Sequence, residues 1–472
     1  MDNKVSKAIA PVDELLPPQQ LFILGLQHVL AMCAGAVAVP LIVGSALKLS
    51  AEHTIFLINA DLFVAGIATL VQSLGIKNFI GAKVPIIEGA SFASVSAMIA
   101  IANTYPGDPM TGITTIFGAT FVSGLFCFIM APFFGKLIRF FPKVVTGTVI
   151  TIIGISLLPV AIRWCAGNDL NSPEFASPKN ILLALFVLIL ILIMYRFFKG
   201  ILGNISILLG IVVGTIIASI LGMSNFTRVH SSGWININIP LYFGMLKFNL
   251  TAIISMILVM LVMMTEATGN MIAIHEMVGK DIDDKNLTRG LRTDGFATML
   301  AGIFNTFPHT AFGQNVGLVN LTGVKSRFVV AASGGILILL GLFPKAGAIV
   351  ASIPYPVLGG AGIAMFGMVA SGGISTLGKV EFNGTKNAMI VAVSIGLAMI
   401  PLAVPNFYSK FPQWVETLFH SGITTGSLAA ILLNLFFNEL GKNKNLTTKE
   451  NEKTVKKDSY EIEMTEKETK NI

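Results

Sequence analysis

The chain has 472 residues, 54% of them hydrophobic and only 12% charged, with a mean hydropathy of +0.77 and a formal net charge of +7. Soluble domains carry about 25% charged residues, so this composition excludes a water-soluble enzyme. The positive charge is no nucleic-acid signal, because the basic residues fall in loops and tails between apolar runs. The three cysteines (Cys33, Cys127, Cys165) have neither metal-ligand spacing nor a disulfide pattern.

Residues 1–18 hold charges and three prolines without a short apolar core, so they are expected to form a cytoplasmic tail and not a cleaved signal. Runs of about 20 apolar residues then follow one another with short gaps. Fourteen spans are predicted, at about 21–47, 54–75, 84–102, 113–134, 144–162, 180–198, 203–222, 249–275, 292–306, 308–322, 328–343, 357–377, 387–404 and 418–438. The fold class is therefore an all-α polytopic membrane protein. Residues 441–472 are charged and poor in apolar side chains, which predicts a solvated, disordered tail.

Charge fixes the expected orientation. With the N-terminus inside, fifteen Lys and Arg fall in inner loops and seven in outer loops, as the positive-inside rule requires. An even number of spans keeps the lysine-rich C-terminal tail inside as well.

The two halves resemble each other. The third span opens Pro85-Ile-Ile-Glu-Gly-Ala-Ser-Phe92, and the tenth opens Pro308-His-Thr-Ala-Phe-Gly-Gln-Asn315. Each is an extended-looking run after a proline, followed by a helix. The fifth span (Pro142, Val144, Gly147) and the twelfth (Pro354, Val357, Gly359) both give proline, valine and glycine in order. Seven spans per half is odd, so the second half is inverted. Paired interrupted segments in inverted repeats point to a transporter's substrate site, and two such segments shelter each other's backbone at membrane depth. Simple kinks are the alternative reading.

A carboxylate at the bilayer centre costs about 2.5–3.5 kcal/mol on insertion scales. Four lie within the predicted spans: Asp61, Glu88, Glu266 and Asp294. Glu266 follows a long apolar run, which places it deep. Asp294 follows Arg289 and Arg292, so an interfacial ion pair is an alternative to a functional role. Asp61 and Glu88 read as structural, with a functional role left open for each. His28 reads either as a hydrogen-bonded packing residue or as a proton carrier, and His309 as a residue lining the cavity. The stretch Gln314-Asn315-Val316-Gly317 reads as a helix start with free backbone N–H groups. An acceptor-only carboxylate facing a donor–acceptor amide suits a flat ligand with alternating N–H and C=O edges. Nucleobases have such edges, while amino acids and sugars stay open.

Gln314-Asn315-x-Gly317-x4-Thr322-Gly323 resembles the signature of the nucleobase–ascorbate transporter family. Gln27-His28, Thr265-Glu266-Ala267-Thr268-Gly269 and Asp294-Gly295 agree with it in order, and the resemblance covers about residues 17–440. It implies fourteen spans as 7+7 inverted repeats, with spans 3 and 10 part strand and part helix. It also implies a core domain at 19–134 (spans 1–4) and 249–343 (spans 8–11), and a gate domain at 135–224 (spans 5–7) and 344–440 (spans 12–14). Glu266, Gln314, Ser91, Phe92 and Gly313 are then the substrate-binding residues. His28, Asp294 and Asn315 support the site or proton coupling. Gln314 and Gly323 look like the purine branch, which carries xanthine and uric acid, and not the uracil branch. Ser91 departs from an asparagine of some xanthine carriers, which leaves room for the extra oxygen of uric acid.

The resemblance thus implies proton-coupled uptake of xanthine, uric acid or both by alternating access, in a multi-pass protein of the inner cytoplasmic membrane with both termini inside. It also implies a homodimer through the gate domain. The alternatives are a symporter for uracil or another nucleobase, and a sulfate-type anion carrier of the same fold. No cofactor, metal or nucleic-acid partner is expected. No nucleophile–base pair and no GxxxxGK[ST] phosphate loop is legible, so neither an enzyme nor ATP-driven transport is expected.

Overall fold

A computed structural model describes residues 10–137, 141–280, 282–383 and 385–440. The predicted tails at 1–9 and 441–472 lie outside the described residues. The principal helices are α1 (Pro18–Ala46), α2 (Ala51–Leu74), α3 (Val95–Asn103), α4 (Pro109–Met130), α5 (Lys143–Cys165), α6 (Pro178–Phe197) and α7 (Ser206–Ile220) in the first half. The second half holds α8 (Leu250–Val278), α9 (Asp284–Ile303), α10 (Gly313–Thr322), α11 (Arg327–Gly341), α12 (Tyr355–Leu377), α13 (Asn387–Ala403) and α14 (Gly422–Asn434). Short helical turns join several of them.

Helix starts follow local chemistry. Ser50, Asp108, Ser177, Asn249, Asp283 and Ser421 each accept a backbone N–H from the first turn of the helix they precede. Such caps satisfy donors that would otherwise be orphaned.

Seven of the described helices are long and apolar enough to cross a membrane. Helix α11 and the following Pro344–Ala351 helix, bent by 81°, make an eighth candidate. The short helix α3 with its preceding turn, α7 and α13 are apolar but shorter. Helix α9 begins at Asp284, earlier than its predicted span, and its first turns carry Lys285, Arg289 and Arg292.

The two interrupted segments are strand followed by helix. Strand β1 (Glu88–Ala90) pairs antiparallel with β2 (His309–Ala311), in the register Glu88↔Ala311, Gly89↔Thr310 and Ala90↔His309. Two further bonds extend the pairing: Ser91 N–H donates to the Pro308 carbonyl at 2.9 Å, and Phe312 N–H donates to the Ile87 carbonyl at 2.9 Å. All six strand residues are buried. Extended backbone away from water survives only where its polar groups are paired, and these strands pair with each other.

Around this crossing α2 packs on α11, α4 on α9, α1 on α11 and α8 on α4. Elsewhere α5 packs on α12, α6 on α7 and α13 on α14. Small residues set the closest approaches. A Cβ on Gly66 would lie 2.6 Å from the Gly334 carbonyl oxygen, and a Cβ on Gly295 2.9 Å from that of Gly124. The α2–α11 and α4–α9 contacts therefore each meet backbone to backbone, as small residues permit between membrane helices.

Gly66-Ile67-Ala68-Thr69 in α2 and Gly295-Phe296-Ala297-Thr298 in α9 share a pattern that sequence reading missed. The Thr69 hydroxyl accepts the N–H of Glu88 at 3.0 Å, and the Thr298 hydroxyl accepts the N–H of His309 at 3.2 Å. Each threonine thus anchors the first residue of a strand in its own half.

Candidate functional site

Helix α8 packs against β2, α10 and the 3-10 turn Phe92–Ser94, so its Glu266 faces the strand crossing. Glu266 is half-buried and makes no hydrogen bond or ion pair among the described residues. Four residues further on, on the same helix face, Asn270 donates from Nδ2 to the Ala311 carbonyl at 2.9 Å. A Cβ on Gly313 would lie 3.6 Å from Asn270 Oδ1. Glu266 therefore stands one helical turn from the junction of β2 with α10. Sequence reading missed Asn270. Its position four residues after Glu266 was the available signal.

The start of α10 is uncapped by any side chain. The Asn315 N–H donates to the Phe312 carbonyl at 3.1 Å, so only the N–H groups of Gly313 and Gln314 at the helix N-terminus are offered to a ligand, with its partial positive charge behind them. Gln314 sits in this first turn, and its side chain lies outside the described residues.

Asn315 turns the other way. Its Nδ2 lies 3.1 Å from His28 Nδ1 and donates to the His28 carbonyl at 3.0 Å. The bond network assigns Nδ1 as the acceptor, which leaves the ring hydrogen on Nε2. His28 and Asn315 therefore fasten α10 to α1. This geometry favours the packing reading of His28.

Ser91 is buried beside the crossing. Its hydroxyl oxygen accepts the Ala93 N–H at 3.2 Å, and its carbonyl accepts the Ser94 hydroxyl at 2.8 Å. The hydroxyl hydrogen of Ser91 remains to be given. Phe92 lies edge-on to Phe366 of α12, ring centroids 5.6 Å apart, so the turn after β1 touches the second group of helices.

Asp294 is buried, and its Oδ2 accepts the Thr310 hydroxyl at 3.0 Å. The interfacial ion pair expected as an alternative does not form, because Arg292 instead reaches the Phe79 carbonyl and lies 4.2 Å from that ring's centroid. His309 does not line a cavity. It is fully buried, its Nδ1 lies 2.7 Å from the Phe307 carbonyl, and its Nε2 lies 3.6 Å from Asp61 Oδ1. Asp61 also accepts the Thr306 hydroxyl at 2.6 Å. Glu88 is fully buried and accepts from Gln72 Nε2 at 2.9 Å.

Two cavities, of about 240 and 550 Å³, lie away from Glu266. The smaller is lined by Ile101, Tyr105, Asn249 and Trp414, and the larger by Ser50, Phe56, Asn59 and Tyr242. No group of three or more His, Cys, Asp or Glu among the described residues is placed to hold a metal ion.

Apolar helices packed around two paired half-strands make up an integral membrane protein. The fold is shared with the transmembrane domain of a cyanobacterium bicarbonate transporter, BicA, at a TM-score of 0.61 and 16% identity, over 89% of this chain and 100% of that one. The chain matches the Permease family model over residues 19–407. It is 45% identical over 428 residues to the uric acid transporter UacT of Escherichia coli strain K12, covering 90% of this chain and 88% of that protein. It is 43% identical over 423 residues to the xanthine permease of Bacillus subtilis strain 168, covering 90% of this chain and 95% of that one. The chain belongs to the nucleobase–ascorbate transporter family. It is a transporter and not an enzyme.

Proposed function

We propose that this protein carries xanthine and uric acid into the cell with protons, across the inner cytoplasmic membrane. The observation that carries this reading is Glu266, an acid with no hydrogen-bond partner among the described residues, one helical turn from the β2–α10 junction. A purine offers N–H groups to such a carboxylate and C=O groups to the Gln314 amide and the N–H groups opening α10. Gly313 lets the ligand approach that backbone. Ser91 supplies one hydroxyl, and Phe92 covers the ring face.

Proton coupling follows from charge. Urate is an anion at neutral pH, and an ionised Glu266 would repel it. A proton delivered to the site removes that repulsion, so urate and proton bind better together than either alone. The relatives named for uric acid and xanthine support this substrate class. The bicarbonate transporter at 16% identity supports only the fold.

The fourteen principal helices are read as fourteen spans in two inverted sevens, with both termini cytoplasmic. Helices α1–α4 and α8–α11 form the core, and α5–α7 and α12–α14 form the gate. The packing supports the repeat, since it is matched across the halves. The α2–α11 contact corresponds to α9–α4, α1–α11 to α8–α4, and α6–α7 to α13–α14. The threonine anchors Thr69 and Thr298 correspond as well. Alternating access is then a movement of gate against core that opens the crossing to each side in turn.

The test is uptake of radiolabelled xanthine by cells expressing the protein, with unlabelled urate, hypoxanthine, guanine and uracil as competitors. Urate is expected to compete strongly and uracil weakly, and a protonophore is expected to stop uptake. Strong competition by uracil alone, or uptake that needs Na⁺ and ignores the protonophore, overturns the reading.

A further inference from the structure

Asp61 and His309 stand outside the ligand-facing set, and both are buried, at 1% and 0% exposure. Asp61 lies within α2, and His309 is the first residue of β2. His309 Nε2 lies 3.6 Å from Asp61 Oδ1, within ion-pair range.

The hydrogens at this contact are one short. A carbonyl oxygen only accepts, so His309 Nδ1, 2.7 Å from the Phe307 carbonyl, carries the ring hydrogen. In a neutral ring Nε2 is then a bare acceptor. It faces Asp61 and has no hydrogen-bond partner. An ionised Asp61 offers acceptors only. Its Oδ1 is met by the Thr306 hydroxyl at 2.6 Å, and its Oδ2 has no donor. A carboxylate and a bare ring nitrogen would thus face each other lone pair to lone pair, away from water. An unmatched buried charge is costly. One added proton removes both faults, because it fills the contact and leaves the pair without net charge.

No other group supplies that charge. Among the described residues no Lys or Arg pairs with Asp61. Arg327 of α11 is held by Asp13, and Lys345 of the following helix lies 3.8 Å from the Trp234 ring centroid. On α9, Arg289 and Arg292 reach Asn286 and the Phe79 carbonyl, and Asp294 accepts from Thr310. Glu88 of β1 accepts from Gln72, His28 of α1 contacts Asn315, and His275 of α8 contacts the Met271 carbonyl. On α2 itself, Glu52 and His53 lie in the first turn. Glu266 of α8 adds a further acid and no cation.

The pair holds the end of a strand that leads into the site. From His309, β2 runs to Ala311, and α10 opens at Gly313. Asn270 fastens the far end of β2 through the Ala311 carbonyl at 2.9 Å. The ring of His309 fixes the near end to α2. We propose that Asp61 and His309 hold one proton between them, and that the pair is a positioning device that fastens β2 to α2 so that the β2–α10 junction stands where the ligand binds. The proton stays with the pair and is not transported. The effect on the ligand rests on the purine reading above, and the proton does not.

Nitrogen NMR of the purified full chain in detergent, with isotope-labelled histidine, reads the pair directly. The His309 signals are those lost in His309→Gln. At neutral pH, Nε2 is expected to resonate as a hydrogen-bearing or hydrogen-bonded ring nitrogen in wild type, and as a bare one in Asp61→Leu. A bare Nε2 in wild type, or the same Nε2 signal in both, overturns the proposal. Uptake, normalised to the amount of protein in the membrane, reads the positioning. Asp61→Leu is expected to raise the KM for xanthine at least about tenfold and to leave the maximal rate within about threefold. His309→Leu removes the other partner and is expected to do the same, so the comparison does not hang on one variant folding. Asp61→Asn, whose amide can donate to the bare Nε2, is expected to keep the KM within about threefold of wild type. A wild-type KM in the leucine variants, or an equal rise in Asp61→Asn, overturns the positioning role. Wild-type protein that shows the expected Nε2 signal but does not take up xanthine contradicts the purine reading and leaves the proton assignment standing.

Discussion

Asn315 Nδ2 lies 3.1 Å from His28 Nδ1, and this contact ties the start of α10 to α1 across 287 positions of sequence. The amide beside Gln314 is thus spent on holding the helix that presents Gln314. On the proposed function, Asn315 serves the site by holding this helix and not by touching the ligand.

Asn315→Ala is therefore expected to raise the KM for xanthine by about tenfold while the maximal rate changes little. Losing a buried hydrogen-bond partner costs about 1–3 kcal/mol, and about 1.4 kcal/mol is tenfold in affinity. Initial-rate uptake, normalised to the amount of protein in the membrane, measures it. Combining the change with His28→Ala is expected to add little, because both remove the same contact. Additive effects show that the two residues act independently.

Ser91 caps the turn after β1 through its oxygen, accepting the Ala93 N–H at 3.2 Å. Asparagine caps as well as serine, so Ser91→Asn is expected to fold. On the proposed function, its extra bulk takes space from the ligand. Urate inhibition of labelled xanthine uptake is expected to weaken at least about tenfold relative to xanthine, since a polar site rejects a mismatched group strongly. Equal inhibition by urate in wild type and variant removes Ser91 from the pocket.

Much of this arrangement was legible in the sequence. Pro85 and Pro308 each precede an extended run and then small residues, and the strands β1 and β2 stand there. Length and apolarity likewise marked the long helices. What the sequence did not show was which buried acids meet. The bonds from Asp294 to Thr310 and from Asp61 to Thr306 arise only once α2, α9 and β2 are packed. His309 was misplaced for the same reason. The first residue of an interrupted segment reads as lining the cavity, and only the helix packing shows that it turns towards Asp61.

Ahead of α1, Asp13 is clamped by Arg327 Nε at 2.7 Å and by Lys280 Nζ at 3.4 Å. Partial burial acts to raise the Asp13 carboxyl. The Arg327 hydrogen bond and the Lys280 and Arg327 charges outweigh it, leaving the group below its ordinary 3.8. A lowered folded value means that the stabilisation is full above about pH 4 and fades as pH falls through the folded value. Asp13→Asn is expected to lower the Tm of purified protein near pH 7 modestly, since such part-exposed pairs contribute about 0.2–1 kcal/mol each. The gap between variant and wild type is expected to narrow below pH 3.8. A gap that widens on acidification contradicts this account of Asp13.

Glu266 bears most of the functional reading, and the decisive measurement is accumulation of labelled xanthine by proteoliposomes under an imposed inward proton gradient, comparing wild type with Glu266→Gln. The substitution keeps size but replaces an acceptor-only carboxylate with a group that also donates. Wild type is expected to accumulate xanthine above the outside concentration, and the variant to fall at least about tenfold, as loss of a charge-assisted bond worth about 1.5–3 kcal/mol requires. Uptake by Glu266→Gln close to the wild-type rate would contradict the assignment of Glu266 as the residue that holds the base.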